Sequence, residues 1–269
     1  MATSQGRSTV GGTAGRLDAV LEDFGTKPVP DAQTRSWYQM GLVVWGVSVC
    51  IPAFMLGGAV GSMATFWTAF IAIALGSVIL AVIASGTGSV GGFSRMSTAM
   101  SARFAFGTSA NILFALLLAI GAFGWFGIQL EVFGQALSAG IDVVSGGTNV
   151  VSKLPLVIVG GILMTSTALV GYKAIEKLSL VVVPLLLILL LVTLVKVVQE
   201  HPLSEVAAVA PQTPASLGML VSVVAGGMAV GAVIMPDISR YSRSSGHAVG
   251  GAVFGFLGAS PSSSSWRCT

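Results

Sequence analysis

Charge is what this sequence has least of. Only 9% of its 269 residues are Asp, Glu, Lys or Arg, against about 25% in an ordinary soluble domain. With 54% hydrophobic residues, a globule of this size could not be covered in polar groups. A soluble domain, a disulfide-stapled secreted scaffold and a disordered chain therefore all fit poorly. There are two cysteines, Cys50 inside an apolar run and Cys268 near the end, and they outline no disulfide framework. The two histidines, His201 and His247, stand alone, without metal-ligand spacing to another His, Cys or carboxylate. No nucleophile–base–acid set is visible, so neither an enzyme nor a metal site is expected. The formal charge of +3 comes from basic residues scattered between apolar stretches rather than gathered into a patch, which argues against a nucleic-acid partner. The first 35 residues are polar and lack the apolar core of about 7–15 residues that a cleavable signal peptide needs.

What the chain does have is long charge-free runs and glycine. Glycine accounts for 35 residues, nearly twice the usual share of about 7%, and small residues inside apolar runs let helices approach closely in lipid. The fold class expected is an all-α polytopic membrane protein. About 20 apolar residues cross the hydrocarbon core, and no charge occurs between Arg35 and Arg95. Spans are expected at about 39–61, 65–84, 107–137, 155–172, 177–198 and 216–236. They form a transmembrane region over 36–258 after a cytoplasmic tail at 1–35. A seventh run begins near Val249 and stops at about Gly258, too short to span. The Ser-rich stretch over 259–269 that follows reads as an aberrant tail. The expectation is a truncated or frame-shifted copy of a longer transporter.

Orientation follows from the basic residues. With the N-terminus inside, the cytoplasmic side receives Arg7, Arg16, Lys27, Arg35, Arg95, Arg103, Lys173, Lys177, Arg240 and Arg243, and the outside only Lys153 and Lys196. A multi-pass protein of the plasma membrane with a cytoplasmic N-terminus is expected.

Spans 1 and 6 both combine glycine pairs with a proline, and both contain GxxxG, at Gly57–Gly61 and Gly227–Gly231. Helix packing alone would account for GxxxG. Interrupted helices at matching places in two repeats would instead mark a transporter's binding site, and spans 1 and 6 are one five-helix repeat apart. In span 3, Trp125 and Gln129 are four residues apart and so share a face. A flat aromatic beside an amide suits a planar heterocycle; a packed Trp with a Gln bonded to a neighbouring helix is the plainer alternative. Glu131 is the one carboxylate deep in a span. It is either a proton carrier or gate, or a hydrogen-bonded carboxyl packed against scaffold helices, and the second is favoured. Gly86, Gly88 and Gly91 spell GxGxxG, but no strand precedes them as dinucleotide binding requires. A flexible glycine loop is expected there.

In this order, "GFSRMSTAMSARFAFG", "GWFGIQ", "VAGGMAVG" and "PDISRYSR" resemble the cytosine/purine permeases of the nucleobase–cation symporter family over about residues 35–250. The resemblance implies a LeuT-type fold of inverted five-helix repeats, here spans 1–6 plus the start of span 7. It implies import of cytosine, a purine or a related heterocycle by symport with Na⁺ or H⁺, with no cofactor. Trp125 would stack on the base, Gln129 would bond its polar edge, and Gly226 and Gly227 would offer backbone groups at a break in span 6. Met228 stands where some members have a second Trp, which argues against a hydantoin-like substrate. By rough alignment, the carbonyls of Val47 and Cys50 would serve the cation. The expected partners are a nucleobase and the lipid bilayer; the oligomeric state is not legible. A non-transporting membrane interaction subunit, docking through its glycine faces, is the alternative reading.

Overall fold

A computed structural model describes residues 28–146, 152–170, 172–209, 211 and 214–263. The long elements are helices: α1 (Trp37–Ser48), α2 (Ile51–Ser62), α3 (Phe66–Ser94), α4 (Thr98–Val144), α5 (Lys153–Val170), α6 (Tyr172–Glu200), α7 (Leu203–Ala208), α8 (Leu217–Val233), α9 (Met235–Ser239) and α10 (Ser245–Ser263). Three of them, α3, α4 and most of α6, are long and apolar enough to cross a membrane, and the bent pair α1–α2 makes a fourth span if counted as one. The apolar helices α5 and α8 are shorter. After Ile234, α8 is followed by the short α9, which ends at Ser239.

Proline sets both breaks. Span 1 bends by 59° between α1 and α2, where Val49 leaves helical geometry (φ −96°, ψ 59°) and Pro52 opens α2. Pro52 has no N–H for the Ser48 carbonyl four residues earlier, so the helix cannot continue through it. Span 6 stops at Ile234, and Pro236 stands in the first turn of α9. The carbonyl that Pro236 would leave bare is that of Ala232, and the Thr87 hydroxyl of α3 donates to it at 2.7 Å. Thr87→Val removes that donor and leaves a buried acceptor unpaired, a loss of about 1–3 kcal/mol. A lower melting temperature in detergent is expected for Thr87→Val, with Thr87→Ser close to the parent.

The central helix is α3, which packs on α8, α9 and α10, while α1 lies against α10 and α6. One core joins Val44, Leu80, Ala84, Ala232, Met235 and Phe256, and a second joins Val60, Ala72, Ile73, Leu220 and Val224. Helix α4 pairs mainly with α5. A Cβ on Gly160 would run into the Phe133 ring, so glycine sets that approach too. Along α4, Gly107 takes φ 77° and ψ 174° and kinks the helix, a conformation that only glycine adopts without strain.

The glycine motif at 86–91 is not a loop. Helix α3 runs through it to Ser94, and Gly88 and Gly91 are buried. At Gly91 a Cβ would meet the Ser239 hydroxyl and sit 2.6 Å from the Pro236 Cα. Close helix contact is therefore what these glycines serve, and the intrahelical hydrogen bonds keep them regular.

The ends of α1, α3, α4, α6 and α9 meet in one polar junction. Val29 donates its N–H to the Arg95 carbonyl at 3.2 Å, Arg35 donates to the Tyr241 carbonyl at 2.5 Å, and Arg243 donates to the Arg35 carbonyl at 3.2 Å. Arg95 pairs with Asp31, and the Thr98 N–H at the start of α4 donates to Asp237 Oδ1 at 3.1 Å. Residues 28–35, assigned by sequence to the polar tail, are thus a packed strap with Val29 in a core beside Val43 and Tyr241. Helix α10 continues to Ser263, past the boundary expected at Gly258, while 264–269 of the Ser-rich tail lie outside the described residues.

Candidate substrate site

The site is built where α4 crosses α8. A Cβ on Gly121 would be 3.7 Å from Val230 Cγ2, so the two helices touch there. The Thr98–Asp237 hydrogen bond puts the start of α4 beside the element that follows α8. The helices therefore run antiparallel away from that junction. Four residues further from the junction than Gly121 comes Trp125 on α4; four residues further than Val230 comes Gly226 on α8. Trp125 and the glycine pair thus come to a similar level on facing helices, about one helical turn beyond the crossing.

The surroundings of these residues differ. Trp125 and Gln129 are half-buried, with open space at the neighbouring Gly124 and Gly127. Gly226 also faces open space, while a Cβ on Gly227 would lie 2.9 Å from Leu56 Cδ2 on α2. Helix α8 runs unbroken through Gly226 and Gly227; the break lies at Ile234. Glycine pairs do not by themselves interrupt a helix whose hydrogen bonds are intact, whereas Pro236 removes a donor. The backbone groups offered at 226–227 are accordingly helical ones.

Beside the glycine pair lies a small pocket lined by Ser48, Leu56, Ser77, Val224, Met228 and Phe256 among others. Of the substrate residues expected from sequence, Met228 lines it; Trp125 and Gln129 do not. Its hydroxyls come from Ser48 and Ser77 in an otherwise apolar wall, and Ser48 Oγ donates to the Val44 carbonyl at 3.0 Å. Ser48, Ser77 and Phe256 were not singled out from sequence. The available signal for Ser48 was Pro52 four residues on; for Phe256 there was none.

At the break of span 1, Val47 is exposed and Cys50 half-buried. The Cys50 carbonyl accepts from Ala53 N at 3.0 Å and Phe54 N at 3.3 Å, so it is engaged in starting α2. The Ser48 carbonyl is the one deprived of its helical donor by Pro52.

Glu131 is not packed into a scaffold. It is about half exposed, pairs with Lys153 at the start of α5, and accepts from Gln135 Nε2 at 2.8 Å. The pair ties the body of α4, about three and a half turns before its end, to the start of α5.

An all-α apolar chain with two proline-broken spans and an aromatic–amide face set against a glycine-rich helix defines a multi-pass membrane transporter. Comparison with known proteins gives the particular family. A family model described as "Permease for cytosine/purines, uracil, thiamine, allantoin" matches residues 28–264, and the chain belongs to that family. It is a family of transporters, not enzymes. Cytosine permeases of Escherichia coli are 27% identical over 238 residues, covering 87% of this chain and 54% of theirs. Among solved structures, MHP1, a nucleobase-cation-symport-1 family transporter in a closed conformation with bromovinylhydantoin bound, matches with a TM-score of 0.79 at 19% identity. That match covers 89% of this chain and 55% of MHP1. The LeuT-type fold expected from sequence is therefore the fold found, and the chain spans about half the length of the relatives it matches.

Proposed function

We propose that the transporter formed with these helices imports cytosine or a purine across the plasma membrane, coupled to Na⁺ or H⁺, with its N-terminus in the cytoplasm. The observation that supports this reading is the contact of α4 and α8 at Gly121 and Val230, one helical turn before Trp125 on α4 and Gly226 on α8, with Gln129 a further turn along α4. In this reading the indole stacks on the base, the Gln129 amide bonds its edge, and the glycines let the base approach the α8 backbone. Met228 stands beside the pair as a flexible apolar wall. The division of the fold suits alternating access around a midplane site: α1–α3 and α8–α10 share two cores, whereas α4 and α5 form a separate pair. The convergence of Arg35, Arg95, Arg240 and Arg243 on one junction supports their placement on one side, and the positive-inside rule makes that side cytoplasmic.

The test uses a chimera in which residues 28–258 are continued by the second half of the Escherichia coli cytosine permease, expressed in cells lacking that permease. Uptake of labelled cytosine is expected to be competed by unlabelled cytosine or a purine. It is also expected to collapse when one ion gradient, Na⁺ or H⁺, is dissipated with a selective ionophore. Uptake indifferent to both gradients would remove the symport reading; competition by hydantoins alone would remove the substrate assignment.

A further inference from the structure

We propose that Leu56 of α2 is a partition between the base's seat on α8 and the pocket beside it, and that it holds the transporter to single-ring bases. The proposal rests on the reading of Trp125 and the glycine pair as that seat. Around α8, at about 100° per residue, the order is Gly226, Val230, Gly227, Val224, Met228. Val230 meets α4 at Gly121, so the direction that faces α4 falls between the two glycines. On the Gly226 side nothing lies within 4 Å of an added Cβ. On the Gly227 side stands Leu56. A Cβ there would lie 2.9 Å from Leu56 Cδ2, 3.6 Å from Cδ1 and 3.8 Å from Cγ, so the whole branched end of the side chain covers that glycine. Beyond it, Val224 and Met228 line the pocket, and Leu56 lines it with them. One side chain thus has the seat on one flank and the pocket on the other.

The local sequence puts Leu56 there. Pro52 opens α2 after the bend, and Ala53, Leu56 and Gly57, three and four residues apart, form the stripe that lines the pocket. Ala53 and Gly57 are small and buried, so the bulk of that stripe is the Leu56 side chain. A second ring on a base seated over the glycine pair, extending past Gly227, would enter the volume of the Leu56 methyls. With those methyls removed, the seat and the pocket become one space. The pocket wall is apolar apart from the hydroxyls of Ser48 and Ser77. The Ser48 hydroxyl gives its hydrogen to the Val44 carbonyl at 3.0 Å and can still accept one from a ring N–H. Few polar groups in an apolar wall suit a flat, nitrogen-bearing ring. The pocket is therefore a place for the second ring of a purine, shut off by Leu56.

The chimera reads the partition as a ratio. Uptake of labelled cytosine is competed with unlabelled cytosine and with unlabelled adenine, and the two half-inhibiting concentrations are compared. In the parent chimera adenine is expected to be the weaker competitor by about tenfold or more, and in Leu56→Ala that ratio should fall about tenfold. Leu56→Val should lower it about threefold, and Leu56→Met, which conserves volume, should keep it. A merely structural role for Leu56 would reduce uptake of both bases alike and leave the ratio where it was. An unchanged ratio in Leu56→Ala would overturn the partition, as would adenine matching cytosine in the parent. If Leu56→Ala does not fold, Leu56→Val decides, and an unchanged ratio there overturns it as well. A parent chimera that takes up no cytosine would remove the base reading, and the partition is then judged on the purified full chain. There, Ser77→Cys places a thiol in the buried wall of the pocket, in a Cys50→Ser, Cys268→Ser background. Reaction of that thiol with methyl methanethiosulfonate is expected to be severalfold faster when Leu56→Ala is added; an equal rate would overturn the partition by itself.

Discussion

Gly91→Ala is expected to prevent stable accumulation of the protein, while Gly86→Ala in the same helix is silent. The added methyl at 91 meets the Ser239 hydroxyl, the Pro236 Cα at 2.6 Å and the Pro236 carbonyl at 3.0 Å. Two of these obstacles are backbone, so no side-chain rotation relieves them. Helix α9 must move away from α3, and the Met235 core and the Asp237 bond to the start of α4 move with it. Overpacking of a close contact costs about 1–3 kcal/mol and occasionally more, and a displacement involving backbone belongs at the upper end. At Gly86 nothing lies within 4 Å, and Ala is favoured over Gly inside a helix by about 1 kcal/mol. Thermal denaturation in detergent and the monodisperse yield distinguish the two. A Gly91→Ala protein that melts with the parent would show that α3 and α9 are not in the contact described.

The largest functional effect is expected at Trp125. In the chimera, Trp125→Ala should reduce cytosine uptake at limiting substrate about 5- to 150-fold, the range set by about 1–3 kcal/mol for one aromatic–base stack. Gln129→Ala should fall similarly, because a base edge that loses its partner in a dry site costs about 1–3 kcal/mol. Trp125→Phe keeps a ring to stack on and should lose less than Trp125→Ala. Neither variant should alter membrane abundance, since both side chains are only half-buried and neither belongs to the two main cores. Equal loss in Trp125→Phe and Trp125→Ala would assign the indole a hydrogen bond rather than a stack.

The long apolar helices α3, α4 and α6 and the first break were legible in the sequence because each has a local cause. Lack of charge over about 20 residues marks a span wherever it occurs, and Pro52 takes a donor from Ser48 whatever surrounds it. Glycine is harder, since its meaning lies in what it touches. Gly86–Gly91 looked like a loop, and Gly226–Gly227 looked like a break. The first run is helical because α9 and α10 press against it, and the second is helical because no proline stands four residues on. Pro236 carried the information that the glycine pair did not. For Glu131 the hydrogen-bonded carboxyl was expected, but its exposure and its partner were not, for a related reason. Helical spacing gives its face on α4 but not the arrival of Lys153 from the next helix, 22 residues later. The Arg35–Glu176 pair, 141 residues apart, had no local signal at all. The face shared by Trp125 and Gln129 needed only a four-residue spacing, but its opposition to α8 needed the Gly121–Val230 crossing.

The most direct test is saturable uptake of labelled cytosine by the chimera of residues 28–258 with the second half of the Escherichia coli permease, beside the same chimera carrying both Trp125→Ala and Gln129→Ala, at matched membrane abundance. The expected result is uptake that saturates, is competed by unlabelled base, and disappears in the double variant. A chimera that inserts and elutes as a folded species yet shows no saturable uptake, or one whose uptake survives the double substitution, would contradict the assignment of these helices as the base-carrying half of a nucleobase transporter.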